Sequence, residues 1–199
     1  PEAALRYVEQ GYTCLKAGGL RHPIKTVKNL RHALPDHIDL CIDVHGPPWL
    51  TVPDAVRVGQ ELEEYDLLFY EDPVPPENMD SLKKVADSLS IPVAAGERSS
   101  TIYGCRELVE REIVDVLQPD MGRVGGISQM TRSFSAERAC VPRYSPIQPE
   151  TSPGVRDGRG VPFRPMRNGH PPEFGRYRAS VWLAATGASG DGVYSAVRY

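Results

Sequence analysis

Ile38-Asp39-Leu40-Cys41-Ile42-Asp43-Val44-His45, Leu67-Leu68-Phe69-Tyr70-Glu71, Pro92-Val93-Ala94-Ala95-Gly96-Glu97 and Val114-Asp115-Val116-Leu117-Gln118-Pro119-Asp120 are short apolar runs that each lead into an acid. The acids Asp43, Glu71, Glu97 and Asp120 stand 28, 26 and 23 residues apart. Each interval fits one strand, one helix and their loops, so the runs read as successive parallel strands with helical crossovers. Their apolar, β-branched composition suits strands covered on both faces. Successive parallel strands point the same way, so the four acids are expected to converge on one rim, at the C-terminal ends of the strands.

The segments between the runs carry helical spacing. Pro1–Gln10 reads as a helix closed by Gly11 and followed by the short strand Thr13–Lys16. Further helices are expected over Pro23–His32, over Pro53–Glu64 with Ala55, Val56, Val58, Gly59 and Leu62 toward the core, over Asn78–Leu89 and over Tyr103–Arg111. About five β/α units with no hairpin turn between them mean a doubly wound sheet or a barrel. Gly18-Gly19 is too little for the glycine fingerprint of a dinucleotide loop. A rim of polar residues at the strand C-termini is where barrels place their chemistry. The expected fold is α/β, a partial TIM-type (β/α) barrel, since 199 residues fall short of the roughly 250 of a complete one.

The composition changes near residue 130. Residues 1–130 hold 13 Lys and Arg against 21 Asp and Glu, whereas residues 131–199 hold 10 against 5, and every basic residue of the second piece is Arg. That piece is rich in Pro, Gly and Ser and shows little apolar periodicity, so an irregular, disordered tail is expected after the barrel segment 1–130. Its arginines are spread singly, which argues against nucleic-acid binding. No run approaches the ~18 apolar residues of a membrane span. Cys14, Cys41, Cys105 and Cys140 form no C-x-x-C pair, which excludes a zinc knuckle and a disulfide framework. The start carries no basic and apolar leader, and a cytoplasmic setting is expected.

Three carboxylates on neighbouring strand ends cannot share a dry pocket as bare anions, because each raises the pKa of the others. A divalent cation resolves the conflict, and all-oxygen ligation suits Mg²⁺. Some of the acids could instead cap the following helices or form surface ion pairs. Lys16 ends the first strand on the same rim, where its ammonium can pair with a substrate carboxylate or with the acids. His45 follows Asp43 by two residues and leaves the same face of the chain, well placed for a general acid near neutral pH. His22, His32, His37 and His170 are assigned no role.

Cys41-Ile42-Asp43-Val44-His45-Gly46, the run Tyr65 to Asn78 with Glu71-Asp72-Pro73 at its centre, Ile91-Pro92-Val93-Ala94-Ala95-Gly96-Glu97-Arg98, and Leu117-Gln118-Pro119-Asp120 with Gly125-Gly126-Ile127 resemble the barrel domain of the enolase superfamily. The likeness is greatest to the mandelate racemase subgroup and its sugar-acid dehydratases of the galactonate dehydratase type. It runs from about Gly11 to Met130. The resemblance implies that Asp43, Glu71 and Glu97 are Mg²⁺ ligands and that a base removes the proton α to a carboxylate. It further implies that the β-hydroxyl of a small sugar acid is then expelled, with His45 as the acid. Homo-oligomers are common among such relatives.

Two departures qualify this. Racemases of the subgroup carry Lys-x-Lys at the second strand, whereas Lys16 is followed at that spacing by Gly18, so Lys16 matches an electrostatic anchor. Asp120 matches the Asp of the family's His-Asp dyad, yet no His lies between His45 and His170. The start also lacks the family's capping domain and first barrel strand, so the chain is expected to be a weakly active or inactive piece of a longer enzyme. A racemase or epimerase, or a non-catalytic fragment, are the competing readings. The loss of pattern past Met130 suggests a shift of reading frame, and the underlying DNA is expected to continue the barrel pattern in an alternative frame. Sequencing it decides the matter, because the idea fails if neither frame does so.

Overall fold

The computed structural model describes residues 2–18, 21–46, 48–126 and 128–129, together with the backbone of strands at 143–144 and 193–197. The chain opens with α1 (Glu2–Glu9) and β1 (Cys14–Gly18), then α2 (Pro23–Ala33), β2 (Asp39–Asp43) and α3 (Val52–Leu62). β3 (Tyr70–Glu71), α4 (Met79–Ala86), β4 (Val93–Ala95), α5 (Thr101–Glu110), β5 (Val116–Leu117) and α6 (Met121–Val124) follow. The expected tail, 131–199, otherwise lies outside the described residues; within it stand β6 (Arg143–Tyr144) and β7 (Val193–Val197).

α3 and α4 begin where a side chain answers a free backbone N–H group. Thr51 Oγ1 accepts from the Asp54 amide at 3.3 Å at the start of α3, and Asn78 Oδ1 accepts from the Ser81 amide at 3.0 Å at the start of α4. Pro23 sits in the first turn of α2, where its missing N–H is of no consequence. A 3-10 turn, Glu63–Tyr65, continues α3. Arg31 of α2 holds this turn in place, donating to the carbonyls of Tyr65 at 3.1 Å, Asp66 at 3.3 Å and Ile38 at 2.8 Å.

β1 to β5 lie side by side in chain order and all run parallel. A doubly wound sheet reverses its strand order at a switch point. Here five strands follow without reversal, which is the winding of a barrel wall. β6 extends the sheet parallel to β5, and β7 pairs antiparallel with β1.

Alternation along the strands creates two unlike faces. Leu15, Ala17, Leu40, Ile42 and Tyr70 face Val27, Leu30 and Leu62 of the helices, and Val93, Ala95 and Leu117 face Leu82, Val85 and Leu108. On the other face Cys14, Cys41, Phe69, Ala94 and Val116 form a separate buried cluster. Two residues further along, the same face carries Lys16, Asp43, Glu71 and Gln118. The inside of the wall is therefore an apolar layer beneath a polar rim.

The expected strands and helices recur with shifted ends. The paired residues of β3 are Tyr70 and Glu71 rather than Leu67–Tyr70, although the Leu68 amide already donates to Leu40 O at 2.8 Å. α4 stops at Ala86, short of Leu89. Phe69 is the largest side chain of the inner layer and is 1% exposed. Phe69→Ala is expected to cost about 3–5 kcal/mol, read as a lower urea midpoint. Tyr103→Ala, at a side chain 76% exposed, should move it by less than about 0.5 kcal/mol.

Candidate active site

Asp43 and Glu71 close β2 and β3, whereas Lys16, expected to end the first strand, is the middle residue of β1, whose pairing runs on to Gly18. The register sets Lys16 beside Cys41, Asp43 beside Gly18, and Asp43 beside Glu71. The lysine stem thus reaches along the strand direction to the two acids, and Nζ lies 3.0 Å from Asp43 Oδ2 and 2.6 Å from Glu71 Oε2. The other Asp43 oxygen, Oδ1, is 2.6 Å from His45 Nδ1 and accepts from the His45 amide at 3.0 Å.

Burial and charge set the protonation of this group. Burial works against the Lys16 ammonium, but the Glu71 and Asp43 carboxylates outweigh it and hold the pKa above its ordinary value. For Asp43 burial is likewise outweighed, here by the His45 hydrogen bond and the Lys16 charge, and the carboxyl falls below its usual range. The hydrogen bond to Asp43 raises the pKa of His45. Glu71 is buried outright and is pushed up to about 8 in spite of Lys16. Burial thus raises the Glu71 carboxyl while the Lys16 charge at 2.6 Å pulls it back, and the lysine stays charged between the two acids.

The other expected residues sit differently. Glu97 follows Gly96, whose φ of +131° suits glycine alone; a Cβ there would come within 3.1 Å of Gln118 N and 3.2 Å of Leu117 Cδ1. Beyond this kink the Glu97 side chain is 27% exposed, and Oε1 is 4.0 Å from Arg123 Nη2. Its charge acts on His45 and Asp72. Among the described residues no group of three or more His, Cys, Asp or Glu side chains is arranged to hold a metal ion. Asp43 and Glu71 meet around the lysine. Asp120 caps α6, its Oδ1 accepting from the Arg123 amide at 2.8 Å.

Two buried polar residues of the rim were not singled out from the sequence. Gln118 is 1% exposed with Oε1 unpartnered, two residues past Val116 on the inner face. That phase alone could have found it. Asp72 is also 1% exposed, and neither of its oxygens has a hydrogen-bond partner. Burial, with Asp43 and Glu97 nearby, pushes its carboxyl up to about 7. Over the mouth, the Arg98 guanidinium lies 5.3 Å from the centre of the Trp49 ring, joining the loops after β2 and β4.

A parallel wall with its charged and amide side chains at the strand C-termini defines the class: an α/β-barrel enzyme domain. Residues 1–149 match the enolase C-terminal domain-like family, and the chain belongs to it. It is 40% identical over 108 residues to the D-xylonate dehydratase of Haloferax volcanii, covering 54% of this chain and 26% of that protein. It is 42% identical over 95 residues to RspA, a D-galactonate dehydratase family member of Cellvibrio japonicus, covering 48% and 23%. A mandelate racemase/muconate lactonizing enzyme-like protein from Rubrobacter xylanophilus superposes with a TM-score of 0.69 at 28% identity, over 76% of this chain and 43% of that one. The matched stretch thus spans about a quarter of the curated relatives' length. The first of these is named a dehydratase, the second a member of a dehydratase family, and the third is named for mandelate racemase and muconate lactonizing enzyme. Among the described residues no helix is long and apolar enough to cross a membrane.

The metal-free chain should lose stability as the pH rises from about 5 to 8. Glu71 and Asp72 hold their protons more tightly folded than unfolded, and raised His45 acts in the same direction. The folded state binds the excess protons throughout that window, so its advantage shrinks as they leave. Depressed Asp43 contributes its opposite effect only below its ordinary pKa of 3.8. Glu71→Gln should flatten the decline in urea-melt stability; an unaltered slope would contradict the upward shift of Glu71.

Proposed function

We propose that this chain carries the metal-binding wall of a Mg²⁺-dependent sugar-acid dehydratase, which removes the proton α to the carboxylate of an aldonate and expels the β-hydroxyl. The observation that carries the proposal is the meeting of Asp43 and Glu71 at the rim, with Glu71 Oε1 buried and unpartnered. An orphaned carboxylate oxygen beside a second acid is what a hard cation answers, and the oxygen-only donors suit Mg²⁺. Asp43, Glu71 and Glu97 would hold the ion. When bound, Mg²⁺ supplies positive charge opposite the substrate carboxylate as the α-proton leaves.

The chain's own residues supply the rest. Asp43 takes one ring nitrogen of His45 and favours the charged imidazole, so the half-exposed ring can give a proton to the departing hydroxyl. Lys16, kept charged by two acids, is the electrostatic anchor on the carboxylate side. Asp120 belongs to the proposed dyad, although here its carboxylate is committed to capping α6. No His follows His45 before His170, so the wall has an acid without the dyad's base. The proposal includes a domain boundary near residue 130, a cytoplasmic setting, and association of copies into a homo-oligomer. The names of the dehydratase relatives support the substrate class.

Calorimetric titration with Mg²⁺ is expected to give saturable heat that Asp43→Asn and Glu71→Gln each abolish. The same chain should form no α-keto acid from aldonates above a metal-free blank. Flat heats with the unmutated chain remove the metal reading, and measurable turnover removes the requirement for the dyad histidine.

A further inference from the structure

Side chains alternate between the two faces of a strand. On β3, Phe69 and Glu71 face inward and Tyr70 packs among the helices. Regular alternation would send Asp72 outward after Tyr70, into an apolar layer where a carboxylate has no place. The backbone departs from the strand at this residue. Asp72 has φ +43°, in the left-handed region, while its amide still donates to Ala94 O at 3.0 Å. For a non-glycine residue this conformation is unfavourable. The charges that act on its carboxylate are those of Asp43, Glu97, Lys16 and His45, all at the rim. The chain thus accepts strain to keep a second acid beside Glu71, 1% exposed and with both oxygens lacking a hydrogen-bond donor.

Two orphaned acceptors inside a rim of other acids require donors that the described side chains do not supply. A hydrated divalent cation brings them, since Mg²⁺ keeps several of its waters when protein carboxylates bind it. We propose that Asp72 is an outer carboxylate of the cation site, accepting hydrogen bonds from water or hydroxyl carried on an ion held by its neighbours. This rests on the metal reading above. Asp72 is a positioning residue: it orients the ion's water shell and does not itself replace a ligand.

The test uses Asp72→Asn in the full chain, since asparagine tolerates left-handed backbone and keeps the shape. Mg²⁺ affinity by calorimetry should fall about 10- to 100-fold, the usual loss for an outer-shell partner, whereas Asp43→Asn abolishes binding. Without metal the Tm of Asp72→Asn should equal or exceed that of the unmutated chain, because an uncompensated buried acid has been removed. Hexamminecobalt(III), which can engage carboxylates only through its ammine hydrogens, should bind the unmutated chain and bind Asp72→Asn more weakly. Unchanged Mg²⁺ affinity in Asp72→Asn, with binding lost in Asp43→Asn, overturns this inference and leaves the metal site standing. A metal-free Tm lowered by Asp72→Asn also overturns it, by making the carboxylate structural, and flat heats with the unmutated chain overturn both.

Discussion

The Lys16 ammonium, set 3.0 Å from Asp43 and 2.6 Å from Glu71, is the contact on which the rest of the site depends. It joins three neighbouring strands through charge, and it exists only if β1, β2 and β3 keep their register. A one-residue slip would turn every side chain of a strand to the opposite face, sending these charges into the helix layer. Removing one partner of a buried pair costs about 3–5 kcal/mol, a large share of the roughly 5–15 kcal/mol that separates folded from unfolded chains. The apolar packing outside the wall and the charge arrangement inside it therefore specify the same register.

Beneath the charges lies the layer of Cys14, Cys41, Phe69, Ala94 and Val116. Because it is dry, it gives the acids above no alternative partners, and their protonation responds to one another and to the lysine. The same strand phase that makes a floor of small and aromatic side chains makes a rim of Lys16, Asp43, Glu71 and Gln118. The site is not an addition to the fold; it is the inward-facing position that follows the apolar layer on each of these strands.

Much of this was legible in the sequence because it is periodic. Apolar runs at near-equal spacing gave five parallel strands, and the acid closing each run marked the rim; Lys16 and His45 followed from their phase. What was not legible depends on single backbone angles. Asp72 lies on the outward phase and reaches the rim only through a left-handed φ, which an aspartate in sequence does not announce. Glu97 shares the acid spacing, but the sequence does not announce the positive φ at Gly96 before it or the approach of Arg123 to its carboxylate. Asp120 satisfies the spacing equally well as a helix cap. Interval alone does not separate a cap from a site residue, since both stand where a strand gives way to a helix.

The Arg98 guanidinium over Trp49 joins the loops that follow β2 and β4, the two strands flanking β3. A cation over an aromatic ring contributes only about 0.5–1 kcal/mol where water has access, comparable to thermal energy. Such a contact restrains the two loops only weakly, in contrast to the buried ion pairs that fix the strand ends.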